Sequence, residues 1–290
     1  MKRKFDILTD SGCDMPKNYL EENQVSCVRL GFTLDGKEYE GENGEQMEEK
    51  TFYQKLRDGA MPTTYQITAE TARAYMEKSL KEGRDLLVVA FSSALSGTAE
   101  SFALAKKQLQ KKYPKRKIFV VDSLCASMGE GLLLDYVIKK ADTGAEIEET
   151  ANFAEQLKKK ICHHFTVDNL FHLKRGGRIN ATSAIVGSIL KIKPIMHVDD
   201  NGKLVALGKV IGRKKALKTL VDNVVKSADM EAGEPIFISH GDCEEDVRFV
   251  EMLLKQSFPR SPITVHYVGT VIGSHSGAGT LAVFHKGIKR

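Results

Sequence analysis

Hydroxyl-bearing residues, glycines and a histidine gather in a few short stretches of this 290-residue chain, each placed where an apolar run ends or a helical pattern begins. Thr9, Asp10 and Ser11 follow the first apolar run, and Thr63 and Thr64 precede a helical pattern opening near Thr68. Ser92, Ser93, Ser96, Gly97 and Thr98 follow a second run, and Asp122 and Ser123 a third. Ser96, Gly97 and Thr98 suit a helix N-cap; a hydroxyl beside free backbone N–H groups at such a terminus also suits an anion. One such loop is most simply a cap, whereas several converging on one edge point to a ligand. The stretch from Gly273 to Thr280 sets His275 among glycines that permit close backbone approach, where an imidazole can donate a hydrogen bond to an acid. A surface turn with an incidental histidine weighs equally.

Lys174, Arg175, Gly176, Gly177 and Arg178 form a basic turn, read either as a solvated loop or as a contact for a phosphate or a partner. Cys162, His163, His164 and His172 could be taken for a metal cluster. Adjacent residues on a strand point to opposite faces, so His163 and His164 are ill placed to share one ion, and no metal is expected. Glu45, Glu48 and Glu49 fit the solvated start of a helix better than an acid/base pair. The chain lacks a P-loop, an HExxH pair and a GxSxG elbow. Gly277, Gly279 and Ala282 fit GxGxxA, but they leave no room for the rest of a dinucleotide-binding unit.

The elements that must position these loops follow from apolar periodicity. Phe5 to Leu8, Leu86 to Phe91 and Ile118 to Val121 read as buried strands; Glu70 to Lys81, Ala99 to Lys112 and Gly129 to Lys140 read as helices. Their alternation implies a parallel sheet with helices on its faces, whose carboxyl-end edge is where ligands bind. Val25 to Tyr39 reads as a hairpin turning at Asp35 and Gly36, an excursion over about 25–60. In the second half, Pro194 to Val198 and Leu204 to Ile211 flank a turn at Asp200, Asn201 and Gly202. Helices from Arg213 and Glu244 and strands at Pro235 to Ser239, Ile263 to Val268 and Leu281 to Phe284 complete an α+β half with a largely antiparallel sheet. The expected domains are 1–158, α/β, and 159–290, α+β, with the boundary near a helix at Ile147 to Lys160.

Length and composition agree with two soluble domains: 42% apolar and 28% charged residues make an ordinary globular balance. A net charge of +5 with mixed signs makes no case for nucleic acid. No apolar run approaches the ~20 residues of a bilayer span, and Asp6 interrupts any secretory leader, so a cytoplasmic protein is expected. Five scattered cysteines with no CxxC pair suit a reducing compartment.

Seven collinear stretches together resemble the DegV family of fatty-acid-binding proteins. They are Ile7 to Pro16, Pro62 to Thr68, Ser92 to Thr98, Asp122 to Gly131, Leu173 to Ile179, Ile192 to Ile195 and Gly273 to Thr280. The family commonly has Ser and Pro where this chain has Tyr65 and Ile67, and Pro where it has Ala278. The resemblance implies an α/β domain and an α+β domain with a long apolar tunnel between them. It implies a fatty-acid carboxylate held by Thr64, Ser96 and His275, with Thr63 as the alternative to Thr64. Thr63, Ser11, Ser93, Gly97, Thr98, Ser123, Ser276 and Gly277 are the supporting loop residues. It further implies a fatty acid kinase partner contacted by Arg175 and Arg178, no cofactor, and transient exchange at a membrane or with an acyltransferase.

Burial of a C16 tail, about fourteen CH₂ groups at ~0.8 kcal/mol each, is worth roughly 11 kcal/mol before ordering costs. The head needs donors, because a buried carboxylate without partners costs several kcal/mol. Two hydroxyls and an imidazole would orient it without enclosing its oxygens in an Arg fork. The main expectation is therefore a non-catalytic carrier. Its rivals are an enzyme, an acyl hydrolase or phosphotransferase, with Ser96 as nucleophile, His275 as base and Asp10 or Asp122 as orienting acid, and a binder of another amphipathic acid or polyprenyl lipid.

Overall fold

The computed structural model describes residues 3–42, 44–168, 170–179 and 191–290. The first half runs β1 (Phe5–Asp10), α1 (Lys17–Glu22), β2 (Val25–Val28), β3 (Gly31–Leu34), β4 (Lys37–Glu40), α2 (Glu49–Arg57), β5 (Thr63–Tyr65), α3 (Ala69–Lys81), β6 (Asp85–Ala90), α4 (Thr98–Lys112), β7 (Ile118–Asp122), α5 (Met128–Asp142) and α6 (Ile147–Leu157). Four of these strands form a parallel sheet in the order β2-β1-β6-β7. The continuous apolar runs of β1 and β6 follow from this placement, since a central parallel strand is covered on both faces.

The excursion is shorter than its sequence suggests. Val25–Val28 is not part of the hairpin; it pairs with β1 as the edge strand of the parallel sheet, Ile7 opposite Val25. The six-residue α1 is too short to announce the crossover that brings it there. The hairpin itself is β3 and β4, turning at Asp35 and Gly36 with φ of 52° and 77°, as a type I′ turn requires. β5 pairs with the other side of β3 to complete a three-stranded antiparallel sheet.

The second half runs β8 (Ile161–Thr166), α7 (Phe171–Arg175), β9 (Ile192–Val198), β10 (Leu204–Ile211), α8 (Arg213–Ser227), β11 (Ile236–His240), α9 (Glu244–Ser257), β12 (Ile263–Tyr267), α10 (Thr270–Ser276) and β13 (Leu281–Lys286). Its strands form one sheet in the order β10-β9-β8-β13-β11-β12, antiparallel except for β11 with β12. Helices α8 and α9 share a core with one face of this sheet through Leu217, Leu220 and Val250.

The other face of that sheet meets α5, whose Leu132, Leu133 and Val137 share a single core with Phe5 and Leu87 of the parallel sheet and Phe284 of the mixed one. Gly129 explains how the helix comes so close. A Cβ there would fall 2.1 Å from His163 Nε2, so glycine is kept despite a helix-propensity cost of about 1 kcal/mol. The His163 ring thereby reaches the Ala126 amide at 3.2 Å and accepts its hydrogen bond.

Candidate functional site

One partly open cavity is lined from β5 of the small sheet, from the mixed sheet, and from the loops that follow β1, β6 and β7 of the parallel sheet. Much of its wall is apolar: Leu95 from the loop after β6, Phe165 from β8, Leu173 from α7, Val271 and Ile272 from α10, and Phe284 from β13. Large side chains from distant segments converge here without filling the space between them, a shape suited to an elongated apolar ligand.

One end of the cavity is polar. Thr64, Ser96, Arg178 and His275 line it, and Thr64 Oγ1 lies 2.8 Å from His275 Nε2. β5 decides which threonine takes part: alternation turns Thr64 inward, while Thr63 is exposed and lies in register with Thr33 of β3. His275 occupies the last turn of α10, a helix where the sequence reads as a loop. Its small and hydroxyl residues hide the helical period, and Gly277 ends it at φ +81°. Ser96 Oγ lies 3.0 Å from Thr98 Oγ1 and accepts from the Thr98 amide at 3.3 Å, while the Gly97 amide donates to Gln66 at 3.0 Å. Gly97 is the N-cap of α4, without a side-chain cap bond, and of these three residues Ser96 alone lines the cavity.

Electrostatics around the histidine favour an anion. Burial, and then the charges of Arg178 and Arg175 with His172 nearby, hold the His275 imidazole down to about 4. The ring is neutral near pH 7, and its surroundings carry an excess of positive charge. Among the described residues its Nδ1 has no hydrogen-bond partner, and it faces Gly176, where a Cβ would stand 2.0 Å away.

Arg175 and Arg178 are anchored to the cavity wall. Arg175 Nη2 donates to Pro62 O and Ser274 O, both at 3.1 Å, and so ties the approach to β5 to α10. Arg178 Nε donates to Leu95 O at 3.0 Å and Nη1 to Gly176 O. Burial lowers the Arg178 guanidinium below its ordinary range.

Among the other expected residues only Ser276 joins the lining, with its Oγ buried and without a partner among the described residues. Ser11 Oγ accepts from the Leu30 amide, Ser93 donates its amide to Asp122, and Ser123 Oγ accepts from the Cys125 amide. These residues, with Gly97, Thr98 and Gly277, shape loops around the cavity. Asp10 accepts from the amides of Gly12 and Phe91, and Asp122 from those of Ser93 and Leu124. Neither acid orients His275, and Ser96 is hydrogen-bonded to Thr98 rather than to the imidazole, so no Ser-His-Asp relay assembles among the described residues. His163 and His164 point apart, His163 to Ala126 and His164 to Ser227 at 3.0 Å.

Gln66, Ser127, Ser239 and His163 also line the cavity and lay outside the expected set. Gln66 lies inside the Pro62 to Thr68 stretch, so a local sequence signal marks it. Ser239 sits in an ordinary apolar strand run and carries no local signal.

The comparisons with known proteins agree with this architecture. A family model described as "Uncharacterised protein, DegV family" matches residues 4–286. A DegV domain-containing protein of Clostridium perfringens is 42% identical over 285 residues, covering 98% of each chain. The structure of a fatty-acid-binding DegV family protein from Thermus thermophilus superposes with a TM-score of 0.88 at 29% identity, over 99% of this chain and 100% of that one. A DegV lipid-binding protein from Thermotoga maritima gives 0.84 at 30% identity, over 99% of both chains. With that family model matching residues 4–286 and a 42% identical relative covered over 98% of each chain, the chain belongs to the DegV family.

Proposed function

We propose that this protein is a non-catalytic carrier that binds one long-chain fatty acid in the cavity and presents its carboxylate to a fatty acid kinase for acyl-phosphate formation, feeding phospholipid synthesis. The observation that carries this reading is an apolar cavity ending in the Thr64–His275 pair, with Ser96 and Arg178 in the same wall. Relatives of the same fold from Thermus thermophilus and Thermotoga maritima are described as binding fatty acid and lipid, respectively. Thr64, Ser96 and His275 hold the carboxylate, and Ser276 supplies a further hydroxyl.

Arg175 and Arg178 form the kinase-contacting turn. Their bonds to Pro62, Ser274 and Leu95 support a coupled role, in which a partner touching the turn touches the wall around the headgroup. The domains divide as 1–158 and 159–290, with α5 packed against both sheets, and the carrier works in the cytoplasm without a cofactor. No helix among the described residues is long and apolar enough to cross a membrane.

Native mass spectrometry of the purified chain, followed by denaturing extraction, tests the reading. One fatty acid per chain is expected, and the loaded protein is expected to become acyl-phosphorylated when a fatty acid kinase and ATP are added. A chain that arrives empty and takes up no fatty acid of any length after incubation would overturn it.

A further inference from the structure

Away from His275 the cavity wall turns polar a second time. Ser127, just before α5, and Ser239, on β11, both line the cavity, and their hydroxyl oxygens lie 2.9 Å apart. Ser127 Oγ also donates to Asp14 Oδ2 at 2.5 Å. Asp14 accepts the amide of Gly269, the residue preceding α10, whereas His275 lies in the last turn of that helix. Six residues at 1.5 Å each put about 9 Å between those two ends.

The serine pair is a costly thing to build into an apolar wall. Ser127 is held at φ 54° and ψ −146°, a region that a side chain occupies only when its surroundings impose it. Ser239 is fully buried, and among the described residues its hydroxyl is engaged by Ser127 alone. A hydroxyl offers one donor and two acceptor positions, so hydrogen-bonding capacity is left over on the cavity side. An unsubstituted chain lying across it would leave that capacity unmet.

We propose that the Ser127–Ser239 pair is a second polar subsite that hydrogen-bonds a hydroxyl carried near the middle of the acyl chain, so that mid-chain hydroxy fatty acids are a ligand class of this cavity. The inference rests on the fatty-acid reading above. An extended chain advances about 1.2 Å per bond, so a carboxylate at His275 brings roughly C7 to C10 opposite the pair. A hydroxyl there can accept from one serine or donate to it, whichever direction the chain of hydrogen bonds to Asp14 takes.

The test compares stearate, 9-hydroxystearate and 16-hydroxystearate on the delipidated full chain by isothermal titration. In the unaltered protein 9-hydroxystearate is expected to bind at least as tightly as stearate, and 16-hydroxystearate about tenfold more weakly, because its hydroxyl meets no partner. Ser239→Ala is expected to lower the ratio of 9-hydroxystearate to stearate affinity about tenfold. If both hydroxy isomers lose affinity equally in the unaltered protein, or if Ser239→Ala leaves the ratio in place, the subsite is wrong while the carrier reading stands. If no fatty acid of any length binds, both are overturned.

Discussion

Thr64 and His275 stand 211 residues apart in sequence, yet their side chains meet at 2.8 Å. The contact joins the last strand of the small antiparallel sheet to the last helix of the chain, across the polar end of the cavity. It holds the imidazole Nε2 and a hydroxyl side by side, so two groups able to bond a carboxylate are oriented before any ligand arrives. Such preorganisation lowers the ordering cost of binding.

Thr64→Val keeps the shape of the side chain and removes its hydroxyl. Fatty-acid affinity is expected to fall about tenfold, and His275→Ala is expected to cost between about tenfold and a hundredfold, as befits hydrogen bonds to a charged group. Thr63→Val, on the outward face of β5, is expected to leave affinity where it is. Titration of the three delipidated variants with palmitate reads all of this, and equal losses at Thr63 and Thr64 would break the assignment of faces.

Gly176→Ala probes the same pair from behind. The backbone there has φ −74° and ψ −6°, which alanine adopts freely, so the turn itself is expected to survive. Its new methyl would stand 2.0 Å from His275 Nδ1 and push the ring off Thr64. Fatty-acid affinity is expected to drop at least about tenfold with a melting temperature shift of only a few degrees. A variant that binds like the parent would mean that His275 is free to move.

The features legible in the sequence are those set by long apolar runs. β1, β6, β7 and helices α3, α4 and α5 stand within a residue or two of their expected ends, and β10 matches at both. Short elements escaped. α10 spans seven residues, α7 five and β5 three, too few for a period to declare itself. Val25–Val28 was assigned to the wrong sheet because two parallel strands joined by a six-residue helix look locally like the first arm of a hairpin. Thr64, Ser96 and His275 could be named from the resemblance, but that they share one end of a cavity depends on chain crossings that no local pattern encodes. Arg175 and Arg178 show the same limit: their charge is evident in sequence, and the carbonyls that hold them are not.

Proton uptake is expected when the ligand binds. Burial first, and Arg178, Arg175 and His172 after it, keep His275 at about 4 in the structure. A carboxylate set beside the ring favours the imidazolium and raises that value. Affinity therefore rises as pH falls through the window between about 4 and the pKa of the loaded protein. Calorimetry near pH 6, where a free carboxylic acid is largely ionised, in buffers of different ionisation enthalpy should show fractional uptake that disappears in His275→Gln. Identical apparent enthalpies in every buffer would mean that the imidazole stays neutral beside the carboxylate and that no proton is taken up.

Stability is expected to vary with pH in the opposite manner to an ordinary surface carboxylate. Burial pushes Asp14 up to about 8, against the lowering effect of bonds from Ser127 and Gly269 and with some help from Glu49 and Asp10. The folded chain thus keeps a proton that the unfolded chain releases above about 4. The resulting stabilisation is complete below that pH and is lost as pH rises toward 8. Asp14→Asn keeps the Gly269 bond through its Oδ1 and reverses the other, its Nδ2 donating to Ser127 Oγ, with no proton to lose. Denaturant midpoints between about pH 4 and 8 should therefore decline less steeply in Asp14→Asn, by about one proton's worth of slope. Parallel curves for the two proteins would mean that Asp14 is ionised throughout that range and that its buried charge is balanced by some group other than those named here.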